Sequence, residues 1–341
     1  FNGEIYNFPE LKEQWARRLP PHFGRLNTDA EWLLEGWALL GPKVLDHTNG
    51  VFAFALWDRA ERKLVLGRDR LGEKPLYFTH QGEEFLFASE IKGLAAAGVK
   101  LRIDKSALAD FLAYRYVPGP ETLFLGVHKL LPGQLVTVDP DLRLHFRRYW
   151  TVEQAQPASA SLGELLQDSH RQRLRSAFTP QLFLSGGIDS AAVGSFFPRG
   201  SRALTFASPH TVDESVEARR LCDSFGLDHS LVEADAHPGE VIDDCIWALE
   251  EPLGDSIILP TWFLARAAAK NGRVVLSGEG ADEVFGGYVH HHAYRQVTRF
   301  RGTFGSVGGR AGSWLLGRLS PKFLGRFTPY PADLGEEGQE R

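Results

Sequence analysis

Leu184-Ser185-Gly186-Gly187-Ile188-Asp189-Ser190 follows an apolar, strand-like run over residues 181–184 and opens a helix-like one over 190–197. Strand, glycine-rich turn and helix in that order are the layout of a pyrophosphate-binding loop. Two adjacent glycines let the backbone approach a phosphate chain with no Cβ in the way, and their N–H groups can point inward as an anion nest. The helix adds the partial positive charge of its first turn, and Ser185 and Ser190 add hydroxyls. Asp189 would repel phosphate unless a cation lay between them, so an acid inside this loop implies Mg²⁺. The G-x-x-x-x-G-K-S/T pattern of the ordinary P-loop is absent from the chain, which removes that reading. The bland alternative is a plain glycine turn between strand and helix.

A second segment has the same character. Val274-Val275-Leu276 reads as a buried strand, and Ser277-Gly278-Glu279-Gly280-Ala281-Asp282-Glu283 follows at once, small residues and acids at a strand's carboxyl end. In an open parallel sheet that edge is where ligands bind. These acids also suit a helix's first turn, but three among glycines after a buried strand fit a metal or substrate site better.

The pattern around these loops alternates. Candidate strands at 181–184, 203–207, 229–233 and 273–276 are interleaved with helices at 162–175, 214–225, 240–250 and 260–270, which predicts a parallel sheet covered on both faces. Upstream the pattern differs. Thr28-Asp29-Ala30-Glu31 matches a capping box, and Trp32, Leu33, Gly36, Trp37 and Leu40 continue at helical spacing until Gly41-Pro42. Residues 51–90 alternate short apolar runs with turn residues, as in an antiparallel sheet. Val117-Pro118-Gly119-Pro120 and Leu131-Pro132-Gly133 punctuate a passage read as loop-rich up to Tyr149-Trp150, and the small residues of 154–161 read as a linker. No regular element is predicted over 301–341.

Composition sets bounds. With 341 residues the chain holds two domains of ordinary size. The 43% hydrophobic and 24% charged content is that of a globular protein, and a net charge of −5 gives no electrostatic reason to expect nucleic acid. No apolar run reaches the about 18 residues of a membrane span, so no membrane partner and a cytoplasmic location are expected. Cys222 and Cys245 lack metal-binding spacing and read as buried free thiols. His290-His291-His292 point in different directions on a helix and do not read as one metal site.

These motifs resemble the asparagine synthetase family. Ser185 to Ser190, Ser277 to Glu283 and Phe285-Gly286-Gly287-Tyr288 are similar to its ATP-pyrophosphatase part. Asn2-Gly3-Glu4-Ile5-Tyr6-Asn7, Thr28 to Glu31, Val51 to Ala55 and Gly67-Arg68-Asp69-Arg70-Leu71-Gly72-Glu73-Lys74-Pro75-Leu76-Tyr77 resemble its class II glutamine amidotransferase part, in the same order. The resemblance implies an α/β fold: a partial αββα amidotransferase sandwich over 1–153, then a parallel-sheet ATP-pyrophosphatase domain over 154–341.

It also implies site residues. Asn2 and Gly3 would form an oxyanion hole for glutamine hydrolysis, with Glu4 and Asp29 on the glutamine; Asp29 also suits a first-turn helix acid. Leu184, Ser185, Gly186, Gly187, Asp189, Ser190, Phe206, Ser277 and Gly278 would hold ATP and pyrophosphate, Leu184 and Phe206 being equally well ordinary core. Glu279 would be catalytic, an acid in a dehydrated pocket, and Asp189 and Asp282 would bind Mg²⁺. Asp255-Ser256 falls in a substrate-side segment, where the acid serves equally as a helix cap. The implied reaction is adenylation of a carboxylate, aspartate or another, followed by amide formation with ammonia from glutamine.

The family's N-terminal cysteine and upstream arginine do not lie in this chain, which also has no methionine. The expectation is a fragment, trimmed at both ends, whose glutaminase half is inactive as given. Ser176-Ala177-Phe178-Thr179-Pro180 departs from the family's usual Ser-Asp-Val-Pro. β-Lactam synthetases and lasso-peptide cyclases share the adenylation step with an internal amine in place of ammonia. Glu90-Ile91-Lys92 with Tyr116-Val117-Pro118-Gly119-Pro120 also resembles bacterial members encoded with polysaccharide or exosortase systems, which leaves an acceptor other than aspartate open. A non-catalytic scaffold of the same fold is a further alternative. The acceptor stays open at this point, and so does a homodimer.

Overall fold

A computed structural model of the chain describes residues 1–16, 25–155, 158–175, 178–208 and 214–288, with positions 291, 294, 295 and 298. The reading of 301–341, and of His290 and His292 in the histidine triplet, lies outside the described residues.

The N-terminal part runs β1 (Asn2–Ile5), α1 (Phe8–Ala16), α2 (Asp29–Leu40), β2 (Gly50–Asp58), β3 (Lys63–Arg68), β4 (Tyr77–Gln81), β5 (Glu84–Ala88), α3 (Ile91–Ala96), α4 (Lys105–Tyr114), β6 (Val127–Lys129), β7 (Gln134–Val138) and β8 (Leu144–Arg148). The strands form two antiparallel sheets, ordered β1-β2-β3-β7-β8 and β5-β4-β6. Strand alternation sorts their side chains into layers. Phe52, Phe54 and Val65 pack against α1 and α2 through Leu11, Trp15, Trp32 and Leu33. Their neighbours Ala53 and Leu66 turn to the other face and meet Phe78 of the second sheet and Leu76 just ahead of it. Tyr77 and Val127 then face α3 through Ile91 and Leu94. The result is helix, sheet, sheet, helix, the αββα sandwich. Gly67 stands opposite Phe54 in register because a Cβ there would lie 2.3 Å from the Phe54 ring.

The capping box is present: Thr28 Oγ1 accepts from Glu31 N, and a Glu31 carboxylate oxygen accepts from Thr28 N. That Glu31 sits below its ordinary carboxylate range because backbone N–H groups of Asn27 and Thr28 donate to it. The passage read as loop-rich is corrected, because β6, β7 and β8 lie in it. Its strands are only three to five residues long and broken by Pro132-Gly133, so pairing with β3 and β4 rather than local pattern defines them.

The C-terminal part alternates as expected: α5 (Leu162–Arg173), β9 (Gln181–Phe183), α6 (Ile188–Gly194), β10 (Arg202–Ala207), α7 (Ser215–Phe225), β11 (Asp228–Glu233), α8 (Pro238–Leu249), α9 (Ile258–Ala269), β12 (Val275–Leu276) and α10 (Ala281–Phe285). The sheet is parallel, in the order β11-β10-β9-β12. On one face Leu182 and Ala203 pack with Ala218 and Cys222 of α7; on the other, Phe206 and Val232 pack with Val241 and Cys245 of α8 and Phe263 of α9. Both cysteines are buried free thiols. Burial pushes both thiols up, Cys222 to about 11. Among the described residues no helix is long and apolar enough to cross a membrane.

Between β3 and β4 the chain crosses from one sheet of the sandwich to the other, around a buried charge. Asp69 is 1% exposed, and its carboxylate accepts the backbone N–H groups of Phe52, Leu71, Gly72, Glu73 and Lys74 at 2.6–3.2 Å. Beside it the Arg68 guanidinium donates to the carbonyls of Gly72, Lys74 and Leu130. Asp69→Ala would strand several buried donors at once. It should destabilise the protein by about 3 kcal/mol or more, read as a fall in the urea unfolding midpoint. A loss under about 1 kcal/mol would show that the crossing does not depend on this carboxylate.

Candidate active site

The parallel sheet reverses direction of growth at β9: β10 and β11 lie to one side, β12 to the other. Just beyond the carboxyl ends of β9 and β12 lie the two loops singled out in the sequence. They share one cavity of about 650 Å³. Leu184, Ser185, Gly187, Asp189, Ser190, Phe206, Ser277, Gly278, Glu279 and Asp282 all line it. Gly186 does not; its N–H turns instead to a carboxylate oxygen of Glu214, at 3.3 Å.

The first loop is tied together by its own hydroxyls. Ser190 Oγ accepts from Ser185 N at 3.1 Å and lies 2.8 Å from Ser185 Oγ, which in turn accepts from Gly187 N at 3.1 Å. Buried Ser190 thereby anchors the first turn of α6 to the end of β9. Thr205 on β10 donates to Leu184 O at 2.7 Å, and His229 Nε2 lies 3.0 Å from Thr205 Oγ1, so the strand end is braced from the side. Leu184 itself is 2% exposed and packs in the core around α7, while Phe206 stacks on Phe263 at 6.0 Å.

The second loop presses on the first. A Cβ on Gly278 would lie 2.7 Å from Ser190 N and 3.0 Å from the Asp189 carbonyl carbon. Only glycine lets the two backbones meet there. Glu279 is solvent-exposed at the cavity rim, which corrects the expectation of a dehydrated acid. The loop turns outward there because Gly280 takes a left-handed φ of 93° before α10. Asp282 is half-buried, and Gly287 folds back over it, donating to its carbonyl at 3.0 Å. Tyr288 donates to Glu283, and that acceptor pushes its hydroxyl up to about 12. Asp255 does not cap the helix as expected: its carboxylate accepts from Ile257 N at 3.0 Å in the turn before α9, whose N-cap position is Ile257 with no side-chain cap. Asp255 lies with Ser256 on a neighbouring cavity of about 1240 Å³.

Tyr288, from the Phe285-Gly286-Gly287-Tyr288 motif, lines the first cavity too, and Glu214, Thr205 and Thr261 line it without having been singled out as site residues in the sequence. Of these, Glu214 had a local signal, an acid just ahead of an amphipathic helix.

The amidotransferase-side residues form a separate group. Asn2, Gly3 and Glu4 are exposed on β1, an edge strand. Gly3 has φ 141°, and a Cβ there would lie 2.0 Å from Val51 O. Asp29 accepts from Ile5 N at 2.9 Å and from Ala30 N at 2.8 Å, tying β1 to the start of α2. Partial burial, then the nearby Asp29 charge, raise the Glu4 carboxyl, and Lys74 opposes them.

Residues 1–150 match the family model described as glutamine amidotransferase domain, and residues 161–340 match that described as asparagine synthase. The chain belongs to the asparagine synthetase family. An asparagine synthetase (glutamine-hydrolyzing) of Bacillus subtilis strain 168, numbered 1, is 32% identical over 301 residues, 84% of this chain and 47% of that protein. A Mycobacterium tuberculosis protein provisionally named asparagine synthetase (glutamine-hydrolyzing) is 36% identical over 321 residues, 88% of this chain and 48% of that protein. The chain thus spans about half the length of these relatives.

The tight apposition of the loops has a measurable consequence. Gly278→Ala must push the backbones at Ser190 and Asp189 apart and should cost about 1–3 kcal/mol in unfolding free energy, typical of overpacking. Gly163→Ala lies on α5 with open space around its Cβ. That change should be neutral or stabilising by about 0.5–1 kcal/mol. Thermal unfolding of the two variants, compared with the parent, checks the contrast.

Proposed function

We propose that this chain forms the amidotransferase and ATP-pyrophosphatase parts of a glutamine-dependent, asparagine synthetase-like ligase. The observation that carries the reading is the meeting of the 185–190 and 277–282 loops in one cavity at the switch point of a parallel sheet, where anionic ligands bind. Family membership supports the same reaction class.

In this reading the substrate carboxylate, aspartate first among candidates, attacks the α-phosphorus of ATP and pyrophosphate leaves. Ammonia then attacks the acyl carbon of the adenylate, and AMP leaves. Adenylation replaces a poor leaving oxygen with a good one, so the protein's contribution is positioning and charge stabilisation. The hydroxyls of Ser185 and Ser190 and the N–H of Gly187 would bind the phosphates. Phe206, with the apolar end of β9, would bound the adenine side.

Among the described residues no group of three or more acidic, histidine or cysteine side chains is arranged to hold a metal alone. Asp189 and Asp282 enter the cavity from different loops. Such a donor set suits Mg²⁺, which takes one or two carboxylates and completes its shell with substrate phosphates and water. Bound there, Mg²⁺ would neutralise charge on the leaving pyrophosphate. Glu279, at the rim, would hold a substrate ammonium or accept a proton from attacking ammonia.

In the N-terminal part, Asn2 and Gly3 would supply the donors of an oxyanion hole, on an edge strand whose outer groups are open to a ligand. Asp29 would face the α-ammonium of glutamine while keeping its hydrogen bonds to β1.

Two measurements on the full-length protein test the reading. Asp189→Ala should abolish ATP–pyrophosphate exchange by removing the phosphate-side cation ligand, and exchange at the parent rate would overturn the loop assignment. Glu279→Gln keeps the shape and removes the charge. It should leave ATP affinity nearly unchanged while lowering ammonia-dependent amide formation by roughly 10²-fold or more, the loss typical of a general base. Equal turnover would remove Glu279 from the mechanism.

A further inference from the structure

The segment between α8 and α9 is held by the other half of the molecule. Glu250, the residue that ends α8, has a left-handed backbone with φ 68°. A non-glycine residue adopts that conformation only when its surroundings hold it there. Its carboxylate accepts from Lys92 N at 2.9 Å and pairs with the Lys92 ammonium, at the start of α3. Glu251, next in the chain, accepts from Lys129 Nζ at 2.6 Å and from the Tyr77 hydroxyl at 2.9 Å. Three residues on, Gly254 N donates to Arg115 O at 2.7 Å, and Arg115, which ends α4, is also left-handed at φ 68°. A Cβ on Gly254 would lie 3.0 Å from that of Arg115. Three successive anchors therefore come from three parts of the amidotransferase sandwich.

This attachment is not a surface ion pair. The side chains of Lys129 and Glu251 are 16% and 19% exposed, and that of Glu250 is 8% exposed. Breaking one bond therefore leaves a charge poorly solvated. Burial and the adjoining Glu251 carboxylate push the Tyr77 hydroxyl well above its ordinary range, which keeps it a donor.

What the segment leads into gives it a role. Asp255 and Ser256 lie on the larger cavity, and Ile257 and Pro260 lie on both cavities. Residues 255–260 are therefore the wall between the nucleotide cavity and its neighbour, and they begin one residue after the last anchor. On the sandwich side, Arg68 donates to Leu130 O and to Lys74 O, so the crossing held by Asp69 lies next to Lys129 and close to Tyr77.

We infer that Lys92, Tyr77, Arg115 and Lys129 of the amidotransferase sandwich clamp residues 250–254, and that this clamp positions the 255–260 wall to receive the acceptor carboxylate beside the nucleotide. Glu251 and Lys129 are positioning residues: they touch no reacting atom and act through the wall. The inference rests on the reading given under Proposed function.

The test uses the full-length protein with Glu251→Gln, Lys129→Met and the exchanged pair Lys129→Glu with Glu251→Lys. Amide hydrogen exchange over residues 253–258 should be faster by roughly tenfold or more in the two single variants, the factor for losing one charge-assisted hydrogen bond, and should return toward the parent in the exchanged pair. Protection over 181–184, in the sheet itself, should stay at the parent value. In acceptor-dependent ATP–pyrophosphate exchange, KM for the carboxylate should rise about tenfold while KM for ATP stays within about twofold. Unchanged protection over 253–258 overturns the clamp, and so does loosened protection with an unchanged acceptor KM. If the parent itself shows no acceptor-dependent exchange, the functional reading fails and the protection data alone decide the clamp.

Discussion

One buried carboxylate organises the N-terminal half. A sandwich of two sheets needs its chain to cross from one sheet to the other, and a crossing loop carries backbone N–H groups into a place where water does not reach. Asp69 collects five of them, one from β2 and four from the loop itself. An isolated ion in such a place is very costly. The arrangement persists because the carboxylate is saturated with donors and because Arg68 beside it hands its own charge to three carbonyls. Desolvation pulls that guanidinium below its ordinary range, with Asp69 opposing the pull. The consequences spread outward. The nest fixes where Tyr77 and Lys129 emerge, those two fix Glu251, and through Phe52 the same carboxylate touches the strand that pairs with Gly3.

The C-terminal half solves a different problem by different means. There the sheet is parallel and buried on both faces, so its interior is satisfied by apolar packing and the chemistry is pushed to the strand ends. Short strands make this sharper. β9 has three residues and β12 two, so each loop leaves the sheet almost at once and the two turn toward each other across Gly278. The hydroxyl network around Ser190 fixes the loop's shape from within, the preorganisation that the proposed anion site would require.

How much of this is legible in the sequence follows from the range of the interactions. The capping box at Thr28 and Glu31, the alternation of strands and helices after α5, and the two glycine-rich loops are signals carried by near neighbours, and they stand at nearly the positions that pattern assigns. β6 and β7 are not legible in this way, because their turns and prolines speak locally for a loop while the strands that define them, β4 and β3, lie far back in the chain. β8 follows from them, since it only hairpins onto β7. The exposed position of Glu279 is hidden by a backbone angle at Gly280 that no residue pattern specifies. Glu250 and Glu251 are not singled out by any local pattern, because the lysines that hold them are 158 and 122 positions away.

The charge on the cavity between the two loops sets a final constraint. Asp189, Glu214, Glu279, Asp282 and Glu283 all line it, and no lysine or arginine does among the described residues. A triphosphate placed there meets five acids and a few N–H and O–H donors, so by Coulomb's law it is repelled unless cations come with it. The nest is also partly spoken for, since Gly186 N–H already donates to Glu214. A phosphate that claims that N–H must displace a carboxylate of the same charge, which lowers the net gain from the contact. Affinity in the proposed site then depends on the metal more than on the nest, and Glu214 becomes a competitor whose removal strengthens anion binding rather than weakening it. Glu214→Gln should therefore tighten ATP binding at limiting Mg²⁺, by roughly 1 kcal/mol or about fivefold, a change that calorimetric titration resolves.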